Sequence, residues 1–184
     1  MYNTLLRGDN PALVIEVLNG YRQKEKMPEN IDEMRVPLGV PEVLRQGNHV
    51  TLVTYGACVK VAHEACEILS QMGIGVELID VQTLLPFDTS CVIGESIART
   101  HAVLFLDEDV PGGATAYMMQ QVLAQPGVYD SLDASPVTLS AQANRSPYGS
   151  DGDYFSKPNA EDVVRAIHKI CQTQSLTQFS GYMG

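Results

Sequence analysis

Residues 49–81 read HVTLVTYGACVKVAHEACEILSQMGIGVELIDV, and this stretch decides the fold. His49 to Tyr55 is rich in β-branched and aromatic residues, as a buried strand requires, and Gly56 ends it. Cys58, Ala62, Ala65, Leu69 and Met72 then recur at three- and four-residue spacing between polar positions. That period predicts an amphipathic helix over 57–72, with Gly73 placed to terminate it. Val76 to Val81 is a second strand. Two strands joined through a helix form a parallel crossover unit.

Downstream the rhythm repeats. Asp88 follows Pro86 and is a suitable N-cap for a helix over 89–100, with Val92, Ile93 and Ile97 facing inward. Ala102 to Leu106 is a continuous apolar run, the signature of a strand covered on both faces. Gly112 and Gly113 lead into a helix over 114–124, and Pro136 to Ser140 is a further strand. Asn159 caps a last helix, with Glu161 and Asp162 at its positive end and Val163, Ile167 and Ile170 as its buried stripe. The expected fold is a three-layer α/β domain: a mostly parallel sheet of about five strands with helices on both faces. Upstream, Pro11 to Val17 reads as a buried strand without a preceding partner. Residues 19–48 mix charges with Gly and Pro, as a connection does.

Composition agrees with a globular chain. The 184 residues are 45% hydrophobic and 18% charged, which is not the balance of a disordered sequence. Twelve Lys and Arg against 22 Asp and Glu give a net charge of −10 with no basic run. That disfavours nucleic acid and membrane surfaces, both of which attract basic patches. No stretch reaches the roughly 18 apolar residues of a transmembrane helix. The start, MYNTLLRGDNP, lacks the apolar core of a signal peptide. Cys58, Cys66, Cys91 and Cys171 show no paired spacing. Free thiols and a cytoplasmic location are therefore expected.

Chemistry-bearing motifs are sparse. Gly73-Ile74-Gly75 lies between a helix and a strand, the reverse of a dinucleotide fingerprint. His63 and Cys66 lack the further ligands of a zinc site, and Asp151-Gly152-Asp153 lacks the closing Glu of a calcium loop. No nucleophile elbow occurs, so no catalytic, cofactor-binding or metal residue is assigned. Gly112 and Gly113, at a helix start, are candidates for an anion site. Asp107, Glu108 and Asp109 stand directly before them, and like charges about 4 Å apart repel by about 4 kcal/mol at an effective dielectric of 20. The turn therefore reads also as a cation site, a subunit contact or a plain surface turn. Residues 141–158 form a long stretch without regular pattern, in which Asn144, Arg145, Tyr148 and Tyr154 are residues suited to contacts. A mobile surface loop is an equal reading. The candidate interface or anion-site residues are Glu108, Gly112, Gly113, Arg145 and Tyr148.

Together these motifs resemble the C-terminal domain shared by transketolase-like enzymes, in particular that of the β component of E1 in 2-oxo acid dehydrogenase complexes. Members typically carry Asp-Leu-Arg-Thr-Leu-x-Pro-x-Asp; here Asp80 to Asp88 reads DVQTLLPFD. Asp107-Glu108 with Gly112-Gly113 is similar to the family's polar pair and helix start, and Ser146-Pro147-Tyr148 to its Ile-Pro-Tyr segment. Val36 to Gly39 and Glu42 to Gly47 resemble the lead-in, and Pro11 to Glu16 the last strand of a preceding pyrimidine-binding domain. Gln82 stands where Arg is usual, and Asp107 where His is common.

The resemblance implies four regions: 1–33 as the end of a pyrimidine-binding domain, 34–48 as linker, 49–173 as the C-terminal-type domain and 174–184 as a tail. It implies thiamine diphosphate and magnesium in the full-length enzyme, with none bound to this piece, and an isolated chain that is inactive. The implied partners are a homo-oligomer or the E1 α part, and the E2 acyltransferase. Transketolase or deoxyxylulose-phosphate synthase is the alternative parent enzyme. From the residues alone, a stand-alone anion-binding module stays open.

Overall fold

The computed structural model describes residues 1–174 except 23, 25 and 150. The tail expected over 174–184 thus lies outside the described residues beyond Gln174. A short helix α1 (Tyr2–Leu5) opens the chain, and β1 (Glu42–Arg45) is the first strand. Then come β2 (Val50–Thr54), α2 (Cys58–Gln71), β3 (Val76–Asp80), α3 (Val92–Thr100) and β4 (Val103–Leu106). They are followed by α4 (Ala114–Leu123), β5 (Val137–Leu139), α5 (Gly152–Ser156) and α6 (Ala160–Gln174).

Strand order is β1-β3-β2-β4-β5. β2 pairs in parallel with β3, from Val50 opposite Val76 to Thr54 opposite Asp80, and in parallel with β4. β5 joins β4 in parallel, and β1 is antiparallel to β3 with a bulge between Val43 and Arg45. The expected three-layer α/β sheet is therefore present. Its fifth strand, β1, falls in the stretch read as linker, because a four-residue edge strand with a bulge leaves almost no period to detect.

The pleat divides the core into two layers. Val50, Leu52, Leu78 and Leu104 pack under α2 and α6, against Ala62, Leu69, Val163 and Ile167. Val53, Ile79, Val103 and Phe105 point the other way, against Ile93 and Ile97 of α3 and Met118 and Val122 of α4. Polar groups on this second face are paired. Thr51 Oγ1 lies 2.6 Å from Ser96 Oγ and 2.7 Å from Thr100 Oγ1, and buried Glu77 forms an ion pair with Arg99. Breaking such a pair is costly, because the buried carboxylate is then left uncompensated.

Local signals set the helix ends. Gly73 has φ +78, its N–H bonds to Ser70 O at 3.0 Å and that of Ile74 to Leu69 O at 2.9 Å. This is a Schellman stop, and Leu69 and Ile74 pack together in the core beneath it. Asp88 does cap α3, accepting from Val92 N at 2.8 Å and Ile93 N at 3.2 Å. The helix starts at Val92 rather than 89, because Cys91 takes a left-handed conformation first. At the last helix, Asn159 Oδ1 accepts from Asp162 N at 3.0 Å and Asp162 Oδ2 from Asn159 N at 3.3 Å. That is a reciprocal capping box.

Two expectations are corrected. Pro11 to Val17 is not a strand: it runs without regular structure, with Leu13 87% and Ile15 85% exposed. Its sequence suits a strand, but no strand among the described residues pairs with it. Residues 141–158 are not wholly irregular, since α5 lies within them; its five residues are too short for a hydrophobic period to show.

Two substitutions test this account. Gly47→Ala would place a Cβ inside contact with the Val76 backbone on β3; denaturant unfolding should show a loss of roughly 1–3 kcal/mol. Asp88→Ala removes the cap of α3 and should cost about 1–2 kcal/mol in the same measurement.

Candidate functional site

Parallel strands aim their carboxyl ends at one edge, where α/β sheets bind ligands and partners. Here β2 delivers Tyr55 and the start of α2, β4 delivers Asp107 to Gly113, and β5 delivers residues 140–159. Tyr55 Oη donates to Asp107 Oδ2 at 2.7 Å, and the Glu108 N–H donates to Asp107 Oδ1 at 2.7 Å. Asp107 is buried, and burial raises its pKa against the pull of these two donors. Burial, then the hydrogen bond to Asp107, raises the Tyr55 hydroxyl as well.

A cleft of about 460 Å³ opens between this edge and the start of α6. Its walls include Ala57, Cys58 and Tyr154, and its charged residues are Glu64, Glu108, Asp153, Glu161 and Lys157. Lys157 Nζ lies 3.1 Å from Glu108 and 3.9 Å from Asp153. Burial opposes the lysine's charge, but the hydrogen bond and attraction from Glu108 outweigh it and raise its pKa. Four carboxylates around one ammonium make the cleft net negative.

The predicted residues fall into two groups. Glu108, Gly112 and Gly113 share one turn. Gly112 has φ +88, and Asp109 Oδ2 packs against Gly113 where a Cβ would stand. A carboxylate of the chain itself thus lies against the first turn of α4. Arg145 and Tyr148 form the second group, with the guanidinium carbon 4.7 Å from the ring centroid and Tyr148 86% exposed. Their loop is closed by Ser146 Oγ to Ser156 Oγ at 2.7 Å and Gln142 N to Ser156 O at 2.9 Å. The groups are linked through Ala141 N to Asp109 O at 2.9 Å and through the Lys157–Glu108 pair. Tyr55 and Lys157 join the site although neither lies in a motif of the sequence. Lys157 had a usable signal: it is the one basic residue between Arg145 and Arg165.

The three buried thiols are poor nucleophiles. Burial, then the charges of Glu108 and Asp107, pushes the Cys58 thiol up to about 12, and burial lifts Cys66 and Cys171 to about 11. All four cysteines are free, and Cys91 is exposed. Among the described residues no group of three or more His, Cys, Asp or Glu is placed to hold a metal ion. None of the described helices is long and apolar enough to cross a membrane.

A three-layer α/β domain of this topology, with its lead-in strand antiparallel, has a defined kinship. The chain belongs to the family described as Transketolase, C-terminal domain, whose pattern matches residues 39–162. Among its relatives is the pyruvate dehydrogenase E1 component subunit beta of Mesostigma viride, 29% identical over 170 residues. The same subunit of Rickettsia felis is 31% identical over 169 residues, covering 91% of this chain and 50% of that protein. A chloroplastic beta-4 subunit of Oryza sativa is 32% identical over 167 residues. The chain spans about half the length of the first two of these relatives and 41% of the third. A solved structure described as a split gene transketolase, inactive beta4 tetramer, superposes with TM-score 0.63 at 26% identity. It covers 80% of this chain and 47% of that one. A Pichia stipitis transketolase at 14% identity and TM-score 0.52 shares the fold.

The pairing of β1 with β3 brings two carboxylates together. Gln82 donates to Glu42 Oε2 at 2.7 Å but brings no charge to Asp80, which stands opposite Glu42. Burial and then Glu42 raise the Asp80 pKa. The residues present also do not fit thiamine diphosphate. A diphosphate needs cations or free amides, whereas the cleft offers four carboxylates and a single lysine already paired with Glu108.

Two measurements check the site. A thiol reagent should titrate Cys91 rapidly in the native protein, and all four cysteines only after unfolding. The raised pKa of Asp107 means that its stabilising effect is full below the ordinary carboxylate value and is lost as pH rises through the raised one. Asp107→Asn should therefore unfold at higher urea than wild type at pH 7, with the advantage shrinking toward pH 4.

Proposed function

We propose that this chain is the C-terminal part of the β portion of an E1 component in a thiamine-diphosphate-dependent 2-oxo acid dehydrogenase, acting in subunit assembly and in docking of the E2 acyltransferase. The observation that carries the reading is the match to pyruvate dehydrogenase E1 beta subunits over 91–92% of the chain. On this reading residues 1–33 end a pyrimidine-binding domain, 34–48 lead in, 49–173 form the domain and 174–184 are its tail. The exposed Leu13 and Ile15 support that division, since an apolar extended segment in water is suited to pairing with a neighbouring sheet.

Glu108, Gly112, Gly113, Arg145 and Tyr148 serve as contact residues at the carboxyl edge. The Arg–Tyr stack and the exposed Tyr154 and Phe155 support this, because aromatic and Arg side chains dominate interface energetics. The partners are a second copy or the E1 α part, and the E2 protein, in the cytoplasm. Decarboxylation belongs to the full assembly, in which thiamine diphosphate supplies the carbanion chemistry. The residues of this chain contribute no step to it.

A transketolase parent is the second reading, favoured by the 26% identical split transketolase. The test is an assay of the purified chain with thiamine diphosphate and magnesium. No decarboxylation of pyruvate or branched-chain 2-oxo acids is expected, and turnover by the chain alone would overturn the proposal. Assays with the companion domains present separate the two readings: activity on 2-oxo acids supports the first, and ketol transfer between sugar phosphates supports the second.

A further inference from the structure

The short helix α5 forms one wall of the cleft of about 460 Å³ and has no anchor in the core. Its buried residues are Gly152 and Ser156, and no α5 side chain belongs to either apolar layer. Its aromatic pair faces solvent instead, with Tyr154 48% and Phe155 66% exposed. Segments with few buried apolar contacts are the first to open in a folded chain, and lids are drawn from them.

Polar ties hold α5 in place. Gln142 N donates to Ser156 O at 2.9 Å, Gln142 Nε2 donates to Phe155 O at 3.0 Å, and Ser146 Oγ lies 2.7 Å from Ser156 Oγ. These bonds join α5 to the loop before it, which can travel with it. Toward α6, Asn159 Nδ2 donates to Tyr154 O at 3.3 Å, and the Tyr154 hydroxyl bonds to Glu161. Lys157 is extended and Pro158 follows it, so α5 and α6 are separate pieces with a bend between them. Toward the sheet, Lys157 Nζ reaches Glu108 at 3.1 Å, on the turn after β4. The facing wall of the cleft is the start of α2, where Cys58 is 3% exposed.

We propose that α5 is a gate over this cleft, hinged at Pro158 and latched to the turn after β4 by the Lys157–Glu108 pair, so that release of the latch swings α5 outward and uncovers Cys58. Both latch residues are partly exposed, so the pair is weak enough to break and reform. Opening separates α5 from α2 without disturbing either core layer, because α5 belongs to neither. The use of the gate, to admit a partner's side chain at the carboxyl edge, rests on the contact reading above. The motion itself is a property of this chain.

Alkylation of the native chain by iodoacetamide, read at each cysteine by peptide mass spectrometry, tests it. Burial first, then Glu108 and Asp107, raise the Cys58 thiol, and the charge of Lys157 opposes them. Lys157→Met removes that charge at nearly constant side-chain length, so charge alone predicts slower alkylation of Cys58. The gate predicts the opposite sign: a rate about two- to five-fold faster, the range of one partly exposed ion pair. Cys66 and Cys171, buried outside the cleft, should keep their wild-type rates. A Cys58 rate equal to or below wild type overturns the proposal, as does an acceleration shared with Cys66 and Cys171, which marks general loosening. Should Lys157→Met not fold, Glu108→Gln cuts the same latch, with hydrogen exchange as the readout. Faster exchange over 153–156 with α2 unchanged supports the gate, and any other pattern overturns it. None of these readouts needs decarboxylase activity, so failure of the gate and failure of the E1 reading are distinguishable.

Discussion

The central strand β2 is the constraint on which the remaining structure depends. Val50 to Thr54 are all buried, so the strand has no solvent face and no free edge. Its backbone groups must be satisfied by β3 and β4, and its side chains need cover above and below. The pairing supplies the first, and the two helical layers supply the second. Once β2, β3 and β4 are held parallel, the segments that follow them emerge on one edge. Tyr55 therefore meets Asp107, and Lys157 meets Glu108, although these residues are about 50 positions apart.

The electrostatics of that edge follow from its carboxylates and its burial. Burial raises the pKa of Asp107 and of the Tyr55 hydroxyl, and Cys58 is a thiol at any physiological pH. A net negative cleft repels a diphosphate, and Asp109 lies against the start of α4, where an anion would otherwise meet the helix. What stays exposed is aromatic and charged: Tyr148 with Arg145, and Tyr154 with Phe155.

Several elements were legible because a local rule governs them. The helix over 58–71 follows from its period and from the glycine at 73. The caps at Asp88 and Asn159 follow from side chains that bond amides a few residues away. Pro11 to Val17 was misread because strand propensity records only what a segment suits, while pairing needs a second strand that propensity cannot supply. β1 and α5 escaped because each is no longer than a turn or two of any period. At the site, Glu108 and the glycines were visible as a polar turn. Their connection to Lys157 was not, because nothing local links residue 108 to residue 157.

The sequence by itself determined the alternation of strands and helices, the two-faced core, the excess of acid and the family. Each of these is written in short-range patterns or in composition. Only the tertiary structure decided that the carboxylates of the turn after β4 and of α5 flank one lysine, and that Asp107 is buried under Tyr55. It alone placed Glu161 and Arg165 beside an apolar groove shared with α2. The physical reason is the same in each case. Burial and charge proximity are properties of the packed sheet, and they arise only when segments distant in the chain are brought to the same edge or face.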